Sequence, residues 1–294
     1  MPETEQRPLQ GIVLMLLAFL FFASLDAAGK HLAQTFALPL LVWASYSLHC
    51  LLMVLFLAPS LRLRLVQTQR PLLQLLRALL LVMVSLLGMA AFRIMPLAET
   101  TAILLVTPLL VVLLAARFLG EQVGTRRWLA VGIGFGGALL IARPGGALSA
   151  TGTLLALATA GCYALYQVLT RQLAATENTF TMLFYTALTG TVVMSLALPW
   201  FWSDALPDAT QAALIASLGV CGGIGHYLVT RAFRYAPAST LSPFSYVQLL
   251  WATLLGWLLF GQLPDALSVL GMSIIAACGL VIAVDEQGLR RRQD

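Results

Sequence analysis

Long apolar runs, cut by proline, glycine or charge, fill almost the whole chain. They fall at 9–31, 38–57, 72–94, 98–119, 126–142, 152–173, 180–200, 210–230, 239–260 and 266–284. Each is long enough, as a helix, to cross about 30 Å of hydrocarbon. The pattern therefore predicts an all-α integral membrane protein with ten transmembrane helices. The third and fourth runs are parted only by Met95-Pro96, the eighth and ninth only by Ala236-Pro237. The flank of the first run, MPETEQRP, is not basic, and the run resembles the internal one at 152–173. It reads as a retained span rather than a signal peptide.

Composition agrees. Of 294 residues, 60% are hydrophobic and 10% charged, with a mean hydropathy of +0.90. A soluble domain runs nearer ~45–50% apolar and ~25% charged, so a soluble enzyme is excluded. Ten spans leave only short loops and no room for an extramembrane catalytic domain. The net charge of +5 is too small and too scattered for a nucleic-acid partner. The four cysteines sit inside apolar runs without CxxC spacing, as buried structural thiols do. Placing the N-terminus in the cytoplasm puts thirteen loop arginines inside and only Lys30, Arg93 and Arg143 outside. That bias orients the chain with both termini cytoplasmic. Arg77 falls within the third span, near its inner end.

The chain repeats itself. Ala91-Phe92-Arg93-Ile94-Met95-Pro96 returns as Ala232-Phe233-Arg234-Tyr235-Ala236-Pro237, an offset of 141 residues. The same offset carries Gly11 to Gly152, Lys30 to Arg171 and Gly120 to Gly261. Each repeat, 9–143 and 150–284, holds five spans, an odd number, so the second must enter the membrane from the opposite side. Inverted five-helix repeats with a substrate path between them characterise secondary transporters. The boundary is the turn at Arg143-Pro144-Gly145-Gly146.

Several motifs resemble a known family: Met15-Leu16-Leu17-Ala18-Phe19 leading to Asp26-Ala27-Ala28-Gly29-Lys30, then Pro96-Leu97-Ala98-Glu99, Thr107-Pro108-Leu109, Leu119-Gly120-Glu121 and Arg143-Pro144-Gly145. Together they make the chain similar, over about 10–284, to bacterial members of the drug/metabolite transporter superfamily of the EamA type. The resemblance implies a multi-pass protein of the bacterial inner membrane. It also implies a central cavity lined by spans one, three, four, six, eight and nine. Relatives of this kind carry amino acids, riboflavin, S-adenosylmethionine or drugs. Such families often place an arginine after the aromatic of the second helix; Trp43-Ala44-Ser45-Tyr46 has Ser45 there.

Ionisable groups inside spans are functional candidates by default. Asp26 and Lys30 stand four apart on one helix, so they form either a self-neutralised pair with Lys30 reaching outer water or a gating and coupling site. Glu99, just after Pro96, suits either helix capping or gating. Glu121 is expected to pair with Arg117, Arg126 and Arg127, and His49 to be a hydrogen-bonded structural histidine. Tyr163, Tyr166, Gln167 and Thr170 share one helical face, as do His226, Tyr227 and Thr230. Ser242, Ser245, Tyr246 and Thr253 form a third polar face, with Gln248 and Trp251 near. The candidate substrate-binding set is Tyr163, Tyr166, Gln167, His226, Tyr227, Tyr246 and Trp251. Its aromatic walls with a few polar groups have the mixture of a ligand pocket. Gly132-xxx-Gly136 suggests close helix packing, and Pro108, Pro243 and Gly222–Gly225 suggest loosened helices.

These features point to a secondary transporter of a small organic metabolite by alternating access, with no cofactor and no metal. Without an intramembrane arginine cluster, a neutral, zwitterionic or weakly cationic substrate fits best. Asp26 is the candidate proton carrier, and the protein is expected to be a monomer or a weak homodimer in the bilayer. An intramembrane enzyme or a non-transporting sensor is the alternative. The chain holds no HExxH motif and no GxxxxGK[ST] loop.

Overall fold

A computed structural model describes residues 8–61, 66–118, 124–143, 148–173, 176–201, 206–232, 235 and 241–290. Among these residues every regular element is helical: α1 Pro8–Leu32, α2 Leu38–Leu61, α3 Pro71–Ile94, α4 Leu97–Leu104, α5 Thr107–Phe118 and α6 Thr125–Ala142. There follow α7 Ala150–Leu173, α8 Thr179–Phe201, α9 Ala209–Ala232, a 3₁₀ helix Ser242–Tyr246, α10 Val247–Phe260 and α11 Ala266–Arg290. Seven segments are long and apolar enough to cross a membrane, and the helical stretches Trp128–Ala142, Phe244–Phe260 and Ala266–Ile282 are apolar but shorter. Each predicted run falls on one of these.

Local chemistry sets the breaks. Pro71 starts α3, where its missing N–H costs nothing. Met95, before Pro96, is extended at φ −124° and ψ 157° and ends α3. The fourth run is not one helix. Pro108 has no N–H to give the Leu104 carbonyl, and the Thr107 hydroxyl donates to that oxygen instead at 2.6 Å. Gly261, at φ +64°, closes α10: its amide and that of Gln262 bond back to Trp257 and Gly256.

The packing exchanges the two halves. The 141-residue offset carries α1 onto α7, α2 onto α8, α3 onto α9 and α6 onto α11. The observed helix pairs respect it. α1 packs along α9 and α3 along α7, while α2 packs on its own counterpart α8, and α6 on α11. Both self-pairs run antiparallel. Trp43 donates to Ser195 and the Tyr46 ring lies over Gly190. Gly137 meets Gly271 while Arg143 meets Asp265.

Glycines make these contacts possible, though not the pair expected. Gly132 and Gly136 have open space where a Cβ would stand, whereas a Cβ on Gly271 would lie 2.5 Å from the Gly137 carbonyl oxygen. The Gly222–Gly225 stretch does not loosen its helix either. α9 runs through it unbroken, and Gly225 lets α9 close on Phe22 of α1. Outward, Trp128, Leu129, Ile133, Leu139, Leu267, Leu270 and Val281 are exposed, the apolar surface that a bilayer covers.

Candidate functional site

A cavity of about 420 Å³ lies between the halves, within the ~300–1,000 Å³ range of ligand pockets. α1 supplies Phe19, Phe22 and Asp26, α3 supplies Ser85, Gly88 and Phe92, and the α4–α5 break supplies Thr101, Leu105, Thr107 and Pro108. From the second half come Tyr163, Tyr166 and Gln167 of α7, His226 of α9, Ser245 of the 3₁₀ helix and Gln248 of α10. α2, with Ser45, Tyr46 and His49, and α8, with Leu183 and Thr186, complete the wall. Neither was among the helices that the resemblance implied.

Four of the seven candidate substrate residues line this space: Tyr163, Tyr166, Gln167 and His226. The Tyr163 and Tyr166 rings stack at 5.6 Å with 12° between their planes. Gln167 makes no hydrogen bond with the described residues, so its amide is open to the cavity. His226 stacks on His49 at 6.0 Å and meets the Phe22 ring edge at 5.1 Å. His49 is thus a wall residue facing another histidine, not a lone histidine in a core.

The other three stand elsewhere. Tyr227 is 59% exposed, with the Arg231 guanidinium over its ring. Tyr246 presses its hydroxyl against Gly279 of α11, where no Cβ fits. Trp251 donates its indole N–H to the Leu16 carbonyl at 3.2 Å, tying α10 to α1. Tyr246 and Trp251 are packing contacts between helices, and Tyr227 faces outward.

The gating candidates are not arranged as a pair. Asp26 lines the cavity and its Oδ2 accepts from Gln248 Nε2 at 3.1 Å. Lys30, only 5% exposed, donates instead to the carbonyls of Phe92, at 2.8 Å, and Met95. It neither pairs with Asp26 nor snorkels to water. Glu99 stands in the first turn of α4 with its carboxylate on its own backbone amide, as helix capping requires; it is buried and within electrostatic reach of Lys30. Glu121 lies outside the described residues, so its expected pairing with Arg117, Arg126 and Arg127 is outside them too.

Sequence reasoning missed Arg77. It is 1% exposed, between α3, α7 and α8. Nη1 donates to the Tyr166 hydroxyl at 2.9 Å and to Thr170 Oγ1 at 3.4 Å, and Nη2 donates to Thr186 Oγ1 at 2.7 Å and to the Met182 carbonyl. The sequence places it within the third span near its inner end, which carries no information on its partners. Among the described residues there is no metal-binding cluster of His, Cys, Asp and Glu, and the four cysteines are unpaired thiols.

A bundle of apolar helices around a largely apolar cavity with a few polar groups on its wall, and with a surface fit for lipid, has the make-up of a multi-pass membrane transporter. The EamA-like transporter family matches the chain twice, at residues 9–143 and 150–284. The chain belongs to that family. It is similar to a riboflavin transporter of Vibrio cholerae, 29% identical over 98% of each chain. It is also similar to a pseudopaline exporter of Pseudomonas aeruginosa, 28% identical over 91% of this chain and 94% of the relative. An S-adenosylmethionine uptake transporter of Rickettsia bellii is 27% identical over 75% of each. A crystal structure 18% identical to the chain superposes with a TM-score of 0.68, covering 95% of this chain and 98% of that one. The fold is shared.

Proposed function

We propose that the chain is a secondary transporter that moves a small organic metabolite by alternating access, and not an enzyme. The observation that carries this reading is the cavity itself. It sits between two halves whose helix pairs exchange under one offset, with polar groups from both halves on its wall. The antiparallel runs of α2 on α8 and α6 on α11 support inverted repeats, 9–143 and 150–284, in a ten-span protein with both termini cytoplasmic. Rocking one half against the other would open the cavity to each side in turn.

The proposed binding wall is Tyr163, Tyr166, Gln167 and His226, joined by Tyr46, His49 and Ser245. Stacked rings offer a face to planar or cationic groups, and the Gln167 amide supplies a donor and an acceptor. Asp26 is the proposed coupling residue, being the carboxylate on the cavity wall. The relatives are named for riboflavin, S-adenosylmethionine and pseudopaline, all compact polar organic molecules, and a cargo of that size suits this cavity.

The test is counterflow in proteoliposomes, screening amino acids, flavins and nucleosides. Accumulation of one labelled compound that Gln167→Ala or His226→Ala abolishes, in protein that stays monodisperse, supports the reading. A sensor would bind a ligand without moving it across the bilayer.

A further inference from the structure

Arg77 has a role to fill. The described residues offer it no carboxylate; all four of its hydrogen bonds go to neutral oxygens, and its Nε has no partner at all. A buried cation without a counter-charge is costly, and an ionisable group inside a span is a functional candidate by default.

Hydrogen-bond accounting shows how its charge reaches the cavity. Thr170 gives its proton to the Tyr166 carbonyl and Thr186 to the Met182 carbonyl, so both accept from Arg77 with their own protons committed. The Tyr166 hydroxyl also accepts from Arg77, but no acceptor among the described residues takes its proton. Tyr166 lines the cavity. A phenol that accepts from a guanidinium is a strengthened donor, and this one has the cavity to donate into. The unbonded amide of Gln167 stands beside it.

The opposite charge lies at the other end. Among the described residues Asp26, on the wall, accepts only from the neutral Gln248 amide, since Lys30 is spent on α3 carbonyls. Gly29, three residues beyond Asp26, packs on Met89 of α3, and Lys30 reaches Phe92 and Met95 beyond that, so the two helices run in the same direction. At about 1.5 Å per residue, Asp26 stands about 13 Å from Arg77 along the α3 axis.

Resting on the proposed transport function, we infer that the cavity is polarised along its length and takes an elongated zwitterion. Its carboxylate meets the Tyr166 hydroxyl and Gln167 in the field of Arg77, and its ammonium or other cationic end meets Asp26. Arg77 is the specificity-determining residue, supplying through Tyr166 the positive field that the Ser45 position does not.

Two probe series test this in purified protein by thermal shift at millimolar concentration: 6-aminohexanoate, whose charges stand at opposite ends of its chain, and the longer peptide Gly-Gly-Phe. Each is compared with its carboxamide and its N-acetyl form. The free zwitterion is expected to bind best, with either cap weakening it about tenfold or more, the size of one lost charge-assisted hydrogen bond. Arg77→Met should erase the penalty of the carboxamide and keep that of acetylation; Asp26→Asn should do the reverse. Because Arg77 also joins three helices, Tyr166→Phe is the second variant. It removes the donated proton while the ring stays stacked, and should likewise erase the carboxamide penalty. Capped probes that bind as well as free ones overturn the inference, as does a protein that no free zwitterion of either series stabilises. Counterflow of the capped and free probes keeps the two readings apart. Transport without charge preference defeats the polarity and leaves the transporter standing.

Discussion

Lys30 turns its ammonium away from Asp26, one turn earlier on the same helix, and gives it to the Phe92 carbonyl at 2.8 Å. With the Met95 carbonyl as its second acceptor, it closes the C-terminal end of α3. The last carbonyls of a helix lack intrahelical partners and carry the negative end of its dipole. Lys30→Met should leave those oxygens buried and unpaired. A loss of about 1.5–3 kcal/mol is expected, read as a lowered melting temperature in detergent. An unchanged melt would place the ammonium elsewhere.

Gly271→Ala is expected to cost about 1–3 kcal/mol by overpacking, since its Cβ would sit 2.5 Å from the Gly137 oxygen and 2.7 Å from Ile141 Cγ1. A backbone oxygen cannot swing aside. Gly132→Ala and Gly136→Ala, with nothing within 4 Å, should be neutral or stabilising, because alanine is the better helix former by about 1 kcal/mol. Parallel melts of the three variants check the contrast.

At the end of α6, Arg143 donates to Asp265 at 2.5 Å, and Asp265 also accepts from the Ser268 amide as α11 begins. The Arg143 bond, then the Ser268 amide, pull the Asp265 carboxyl down from 3.8 to about 2. A carboxylate lowered on folding stabilises the folded state fully above its unfolded value. That contribution disappears as pH falls from about 4 through about 2. Asp265→Asn should therefore remove part of the acid sensitivity of the melt in that window, and added salt should mimic it, because the pair is exposed to water. Identical acid profiles for the two proteins would count against the pair.

Proton coupling through Asp26 has its own test. Wild-type uptake in proteoliposomes should vary with external pH, and Asp26→Asn should flatten that dependence in the exchange that survives its weakened hold on the cationic end of the substrate. A variant that keeps the wild-type pH profile removes Asp26 from the coupling step.

For the membrane topology, single cysteines at positions 147 and 205 should react with an impermeant reagent from outside, and those at 68 and 174 only from inside. Labelling of positions 68 and 205 from the same face would defeat the inverted arrangement.

How much of this was legible follows from what a pattern can carry. Ten apolar runs marked the helices, since the cost of leaving backbone polar groups unpaired in lipid forces each run into a helix whatever its neighbours do. The Tyr163, Tyr166 and Gln167 face was readable too, because residues three and four apart share one side of any helix. Azimuth was not. His226 and Tyr227 are adjacent, and neighbours on a helix point about 100° apart, so one faces the cavity and the other the surface; depth alone could not say which. Tyr246 and Trp251 have the composition of a binding wall, yet Gly279 and the Leu16 carbonyl claim them. Sequence by itself settled the class of protein and the position of its apolar helices, which are local or periodic properties. Whether Lys30 would pair with Asp26 or cap α3, and whether Arg77 would meet water or lie sealed behind Tyr166, only the tertiary structure decided. A side chain's partners across a bundle depend on which helices touch and at what rotation, and no spacing along one helix contains that.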